Sequence, residues 1–461
     1  MTEEITIKGT WWLPDNPGNR LSGEITYSPI GGARLSLYGS FSQHSDHEKF
    51  TVWGTTVKGT PVSLFDCYTK NVIMHIPGAR VAEISSYFGV IGGHFKTPDD
   101  LKFFEITAEL SHLHEWAWTT GIKVTPTDSG KLWNVEQRML PDIPLGNRNG
   151  LEILLEFAGH LSPGFGDCKL SESCTFTVKS IAPIEYDVFE AVIRKAQHFI
   201  ALGVSRPVYS LSIKARLDNP GQTPENKTNR KTCEIIRKLS LCDDTDKKLM
   251  PHDMQFCLGD LMPAATAYFE RFFDKYQLLE PVCDLYFSTL YNPNMYVHQR
   301  FLALAHAVEA YHRTFIGGKY QSNDEYQSGL QKILWDAVPQ TLDADFRASL
   351  KNKFKYLHEF SLRKRLQDIY GRFVDPLKPF LGEPTKFAGE TSELRNMLTH
   401  RDPTDESRPE IPDWTEIWLK CEQLSLLLEV CLLHELGFSE QNISTLLPRN
   451  QRAKRIQLNR K

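Results

Sequence analysis

Two hydrophobic periods divide the chain. Up to about residue 180, short apolar–polar alternations recur between turn residues; from Leu261 to Leu436 the apolar positions recur at helical spacing. Gly23–Tyr27 and Ala33–Tyr38 alternate on either side of Gly31-Gly32, which predicts a hairpin. Further short strands are expected at Phe50–Trp53, Val62–Tyr68, Val72–Ile76, Phe103–Leu110, Leu151–Phe157 and Cys174–Val178, separated by turn residues such as Pro77-Gly78 and Gly92-Gly93. That density of short strands predicts a sandwich or barrel-like domain. Trp11, Trp12, Trp53, Trp116, Trp118 and Trp133 all fall here and are expected mostly in its core.

The period changes at Tyr186–Gly203, where Phe189, Val192, Ile193, Ala196 and Ile200 mark a helix. Asp218–Lys231 has no apolar residue larger than proline and reads as a linker or loop. Farther on, Phe301, Leu304, Ala305, Val308, Tyr311, His312 and Phe315 form one buried stripe. A second, basic helix is expected over about Asp343–Phe373, and a third begins near Pro384. A fourth starts at Asp413, with Glu416 completing a capping box, and stops at Gly437. The chain thus reads as α+β: a β-rich N-terminal domain over 1–180, then a connecting region of mixed structure over 181–260 with the loop 218–231. A helical bundle over 261–440 and a basic tail over 441–461 complete it.

Composition narrows this picture only a little. The chain has 461 residues, 41% hydrophobic and 24% charged, and a net charge of -4, so it carries no global basic footprint for nucleic acid. The acidic opening MTEEITIKGTWWLP is unlike a secretory signal, and no apolar run reaches the ~20 residues of a membrane helix. Nine cysteines at wide spacings suit reduced thiols, so a cytoplasmic protein is expected. Cys233, Cys242, His252 and Cys257 leave a zinc site open, although no close C-x-x-C pair supports one. His112-Leu113-His114-Glu115 reads as surface, and Pro163–Asp167 is too short for a phosphate loop. Between Arg347 and Arg372 eight Lys/Arg face two acids: a solvated face, or a rail for an RNA backbone. From Pro448 the tail carries six Lys/Arg and no acid, and disorder is expected there.

The candidate chemistry lies in Thr391–Pro403, TSELRNMLTHRDP. Arg395 can hold phosphate oxygens, His400 can move a proton near neutral pH, and Asn396 can fix the imidazole or donate to the phosphate. RNA carries its own nucleophile, the 2′-hydroxyl, so these residue types suffice for cleavage without a metal or cofactor. Asn396 and His400 share a helix face, but Arg395 lies about 140° from His400 on an ideal helix. A complete site therefore calls for two copies around one groove. Helix-end placement before Pro403 favours a protonated His400 acting as general acid. Arg300 and His306 have a similar spacing but read as core and surface decoration.

Leu394–His400 resembles the signature of HEPN domains, an arginine, a favoured polar residue and a histidine. Phe301–Phe315 resembles the first helix of the ApeA-like branch, whose phage-defence members join a β-rich N-terminal domain to a C-terminal HEPN bundle. The strong resemblance spans about Leu290–Gly437; the N-terminal part matches in architecture and in its GTWWLP opening. The resemblance implies a metal-independent endoribonuclease, active as a homodimer through the HEPN domain, in abortive infection. It carries the catalytic roles to Arg395, Asn396 and His400, and adds Glu309 to the polar network around them. RNA, with tRNA as a candidate, is the implied substrate. A phage-derived activator is a candidate partner, with the β domain restraining the enzyme until infection. Three other readings stay open: a non-catalytic RNA- or partner-binding HEPN module, an activity seated in the β domain, and DNA binding through Phe438–Leu447.

Overall fold

The computed structural model describes residues 4–41, 49–74, 76–78, 80–126, 133–218, 231–240, 248–399 and 412–459. The chain divides into two compact units, Met1–Phe273 and Asp274–Lys461.

In the first unit six antiparallel strands close a barrel. They are β1 (Ile5–Leu13), β2 (Asn16–Ser28), β3 (Gly32–Tyr38), β4 (Phe50–Thr56), β5 (Pro61–Met74) and β6 (Arg80–Ser86). Their order is β5-β4-β1-β2-β3-β6, and β6 pairs back on β5. The expected hairpin is β2–β3, with Ser28 opposite Gly32. The strands expected at Val62–Tyr68 and Val72–Ile76 are instead a single element, β5. Its first half lies between β4 and β7 (Phe88–Ile91), and its second half pairs with β6. Asp66, at φ 48°, marks the changeover. A left-handed residue there re-aims the strand, so that one strand closes the barrel and also starts an open sheet. Trp11, Ile25, Leu35, Leu37, Val52 and Leu64 fill the barrel core. A Cβ on Gly54 would stand 2.0 Å from the Trp11 ring, so this packing requires glycine.

From β7 the sheet continues through β15 (Thr232–Arg237), β14 (Ser210–Arg216), β8 (Lys102–Leu110), β13 (Cys168–Glu185) and β12 (Leu151–Pro163) to β11 (Ile143–Arg148). β14 and β15 thus place part of the region read as a connection in the middle of the sheet. β9 (Ile122–Pro126) and β10 (Trp133–Gln137) form a separate hairpin. Helix α1 (Leu113–Ala117) carries Trp116, which meets Phe199 and Phe256 edge-on at 6.0 and 6.5 Å. Phe199 belongs to α2 (Tyr186–Val204), whose apolar face packs on β8 and β13. Of the six tryptophans, Trp11, Trp12 and Trp116 are core, Trp53 is half-buried, and Trp118 and Trp133 are exposed. His112, expected on the surface, is buried, because its left-handed backbone turns the chain into α1 beneath the sheet. After the short α3 (Leu258–Leu261), α4 (Ala265–Leu290) runs from the first unit into the second.

The second unit is helical: α5 (Val297–Phe315), α6 (Asn323–Ser328), α7 (Leu330–Asp336), α8 (Ala344–Phe354), α9 (Leu362–Arg372), α10 (Val374–Leu381), α11 (Pro384–Thr399), α12 (Trp414–Leu436), α13 (Glu440–Leu446) and α14 (Gln451–Asn459). Among the described residues no helix is long and apolar enough to cross a membrane. The expected helix over Asp343–Phe373 is two helices. The segment between them leaves the helical path to pair with the loop after α5: Tyr320 N donates to His358 O at 2.8 Å and Phe360 N to Gly318 O at 2.9 Å. Ser361 then caps α9 through Lys364 N.

α12 is the central helix, capped by Asp413 and closed by Gly437 at φ 100°, as its sequence predicts. It is buried on nearly every side, yet it carries Glu422, Glu429 and Glu435. Each carboxylate has partners. Glu422 takes Arg300 at 2.6 Å and Arg452 at 3.1 Å; Glu429 takes Arg452 at 2.7 Å and the Tyr286 hydroxyl at 2.5 Å. Glu435 takes Lys275 at 2.5 Å and the Tyr311 hydroxyl at 2.9 Å. These pairs make α5 run parallel to α12, and α4 antiparallel to it. Burial pushes the Glu422 carboxyl up, but Arg452 and Arg300 outweigh it and hold its pKa below the usual range. At Glu429 burial wins and the pKa is raised, with Arg452 and Tyr286 opposing.

The basic tail is therefore not disordered over its described part. Ala453 and Ile456 are buried, Asn450 caps α14 through the backbone N–H groups of Arg452 and Ala453, and Arg452 supplies the cation between two buried carboxylates. Removing one partner of a buried pair costs about 3–5 kcal/mol. Arg452→Ala is expected to lower unfolding stability by that amount in a urea titration of the full chain.

A pH effect follows in the first unit. Burial, helped by Arg194, pushes His198 on α2 down to about 4. The unfolded chain then binds a proton near pH 6.5 that the folded one takes only near 4. Stability is lost as pH falls through that window, by at most about 3 kcal/mol. Between pH 7 and 4 the melting temperature of wild type is expected to fall more steeply than that of His198→Gln, which has no imidazole to protonate.

Candidate active site

α11 turns Phe387, Ala388, Thr391 and Leu394 into the bundle, against α9 and α5. Arg395, one residue past Leu394, consequently lies at the edge of this packed face. Its Nη2 reaches Glu309 Oε1 on α5 at 3.4 Å, both side chains being about a quarter exposed. Asn396 is exposed. In the last turn the Thr399 hydroxyl donates to Arg395 O at 2.8 Å. His400, the third residue of the motif, lies outside the described residues, as do Arg401 to Pro403. The structure thus joins Arg395 to Glu309, the residue added to the motif by resemblance.

The similarly spaced Arg300 and His306 are engaged otherwise. Arg300 is committed to Glu422, and His306 is exposed.

A second polar cluster extends from Glu309 along α5, and the sequence patterns did not reveal it. His312, one turn on, is fully buried although it sits in an apolar stripe. Arg365 Nη1 approaches its Nδ1 at 3.0 Å, so Nδ1 accepts and Nε2–H is left to donate to Asp368 Oδ2 at 3.3 Å. Burial pushes the His312 pKa down, against the pull of Asp368, and the ring is neutral at pH 7. Arg365 also donates to the carbonyls of Gly317, Gly318 and Phe360 at 3.1, 3.4 and 3.0 Å. Glu359 takes Arg313 at 2.9 Å and Arg365 at 3.6 Å, and Lys364 takes Asp368 at 2.7 Å. Glu309 is close enough to Arg365 to act on its pKa, which burial lowers first of all. The one sequence sign was His312 itself, a titratable group among apolar positions.

Among the described residues no group of three or more His, Cys, Asp or Glu is placed to hold a metal ion. Cys233 and Cys257 are buried, His252 is exposed, and Cys242 lies outside the described residues. What the site offers chemically is a restrained guanidinium, a carboxylate that holds it, and an exposed amide on the same helix turn.

A family model described as ApeA N-terminal domain 1 matches residues 6–272, and one described as Apea-like HEPN matches residues 302–442. The chain belongs to the ApeA-like HEPN family. Neither a curated protein nor a solved structure matches it. The HEPN match spans α5 to α13, including both Arg395 and Glu309. HEPN domains are generally of a ribonuclease superfamily and typically act as dimers on RNA, so the ApeA-like HEPN unit belongs with nuclease-type defence effectors.

The cluster beside Glu309 tolerates little change. Gly318 has φ 111°, and a Cβ there would lie 2.6 Å from Arg365 Nη1 and 2.8 Å from His312. Gly318→Ala is expected to cost about 1–3 kcal/mol, read as a lower melting temperature of the full chain.

Proposed function

We propose that the chain is a metal-independent endoribonuclease that acts as an anti-phage abortive-infection effector. The observation that carries this reading is the ion pair between Arg395 and Glu309. It ties the motif helix to the first HEPN helix and keeps the Arg395 guanidinium, about a quarter exposed, at the edge of the packed face where a phosphate can reach it.

In the proposed reaction a ribose 2′-hydroxyl gives up its proton to solvent water, its oxygen attacks the adjacent phosphorus, and the bond from phosphorus to the 5′-oxygen breaks. The products are a 2′,3′-cyclic phosphate and a 5′-hydroxyl. Arg395 neutralises the non-bridging oxygens as charge builds on them, and Asn396 donates to the phosphate or fixes the imidazole. His400 gives its proton to the leaving 5′-oxygen. Since Arg395 and His400 diverge by about 140° on one ideal helix, the working site is composite, made by two copies across a twofold axis. Unstacked loops, such as those of tRNA, suit a narrow groove of this kind. Glu309 holds Arg395 in place when no phosphate is present.

The test is cleavage of total cellular RNA by the full chain in EDTA, for wild type, Arg395→Ala, Asn396→Ala and His400→Ala. Expected are 2′,3′-cyclic ends from wild type and a loss of about 100-fold or more for Arg395→Ala and His400→Ala. Wild-type cutting by His400→Ala would remove the general-acid role. Protection of infected cells that survives both substitutions would favour a binding module over an enzyme.

A further inference from the structure

The eight cations between Arg347 and Arg372 separate into two groups. On α9, Lys364 is taken by Asp368 and Arg365 by Glu359 and three backbone carbonyls. On and just after α8, none of Arg347, Lys351, Lys353 and Lys355 has an ion pair with an acid among the described residues. Arg347, Lys351 and Lys355 are spaced i, i+4 and i+8, and so line one side of the helix.

That side also carries aromatic rings. The Arg347 guanidinium and the Lys351 ammonium each lie 5.6 Å from the centre of the Trp335 ring on α7. Lys355 lies 5.4 Å from the Tyr356 ring, which is 57% exposed. Beside Trp335 a cavity of about 220 Å³ opens, lined by Gln327, Gln331, Lys332, Trp335, Lys351 and Phe354. Asp343 and Asp345 stand at the N-terminal end of α8; beyond them the cations lie over rings without an acid among the described residues pairing with them, and two amide side chains edge the cavity. Cations that track a backbone and rings that stack bases are the two components of single-strand recognition.

The excursion that carries this face starts just after α5, the helix of Glu309. It returns to the bundle as α9, which packs on α11, the helix of Arg395.

We propose that the α7–α8 face binds single-stranded RNA, with a base in the Trp335 cavity and phosphates on Arg347, Lys351 and Lys355. The choice of RNA as the polyanion rests on the ribonuclease reading; the binding itself does not depend on cleavage.

The test is fluorescence anisotropy of the full chain with a labelled, fully 2′-O-methylated single-stranded RNA, which lacks the internal nucleophile. The triple variant Arg347→Gln, Lys351→Gln, Lys355→Gln is expected to bind at least tenfold more weakly. Its dependence of log affinity on log salt should be shallower by about 2, at ~0.7 per lost phosphate contact on a single strand. Trp335→Ala is expected to weaken binding about tenfold and Trp335→Phe to restore most of it, which separates stacking from misfolding. A duplex of the same sequence should compete poorly.

Wild-type affinity and salt slope in the triple variant would overturn the proposal. So would equal competition by the duplex, or no binding of the RNA by wild type, the outcome expected if this face docks an acidic protein instead. Failure of the cleavage assay alone would not alter these measurements, so the two readings fail separately.

Discussion

The second unit depends on three carboxylates held in its interior. Glu422, Glu429 and Glu435 sit in the central helix, and each must find a cation or hydroxyl or else give up its charge. Their partners come from α4, α5 and α14, so neutralising α12 also fixes which helices surround it and in which direction they run. Apolar packing alone would tolerate sliding by a helical turn, whereas these pairs do not. The position of α5 follows from them, and with it the position of Glu309 opposite Arg395.

The local elements were legible because each is written in a few adjacent residues. Asp413 with Glu416 announced α12, Gly437 ended it, and the Gly31-Gly32 step announced β2–β3. The architecture, β-rich and then helical, followed from the change of period. The family model for the HEPN region spans residues 302–442, which takes in Leu394–His400 and all but the first residue of Phe301–Phe315.

What stayed hidden is long-range. Nothing near Asp66 says that β5 will pair with β4, β7 and β6, because the pairing partners lie elsewhere in the chain. Arg452 belongs to a run of cations that reads as solvated; its role appears only beside Glu422 and Glu429, which lie two turns apart on α12. The break between α8 and α9 is likewise set by the loop after α5, not by a breaker residue of its own. His312 stands out in its apolar stripe, but its partners Arg365 and Asp368 lie more than fifty residues away, so the cluster around it cannot be read locally.

The placement of Arg452 has a consequence for the order of assembly. A nascent chain emerges from its N-terminal end, and its domains fold largely as they appear. The barrel and sheet unit can close while the helices are still being made, and α5, α11 and α12 precede α14 in the chain. Until residue 452 has been added, Glu429 lacks its cation, and the central helix cannot be packed with its charge satisfied. Packing of the central helix is therefore completed last, and a chain cut short between α12 and α14 would leave the Glu429 carboxylate buried without its cation.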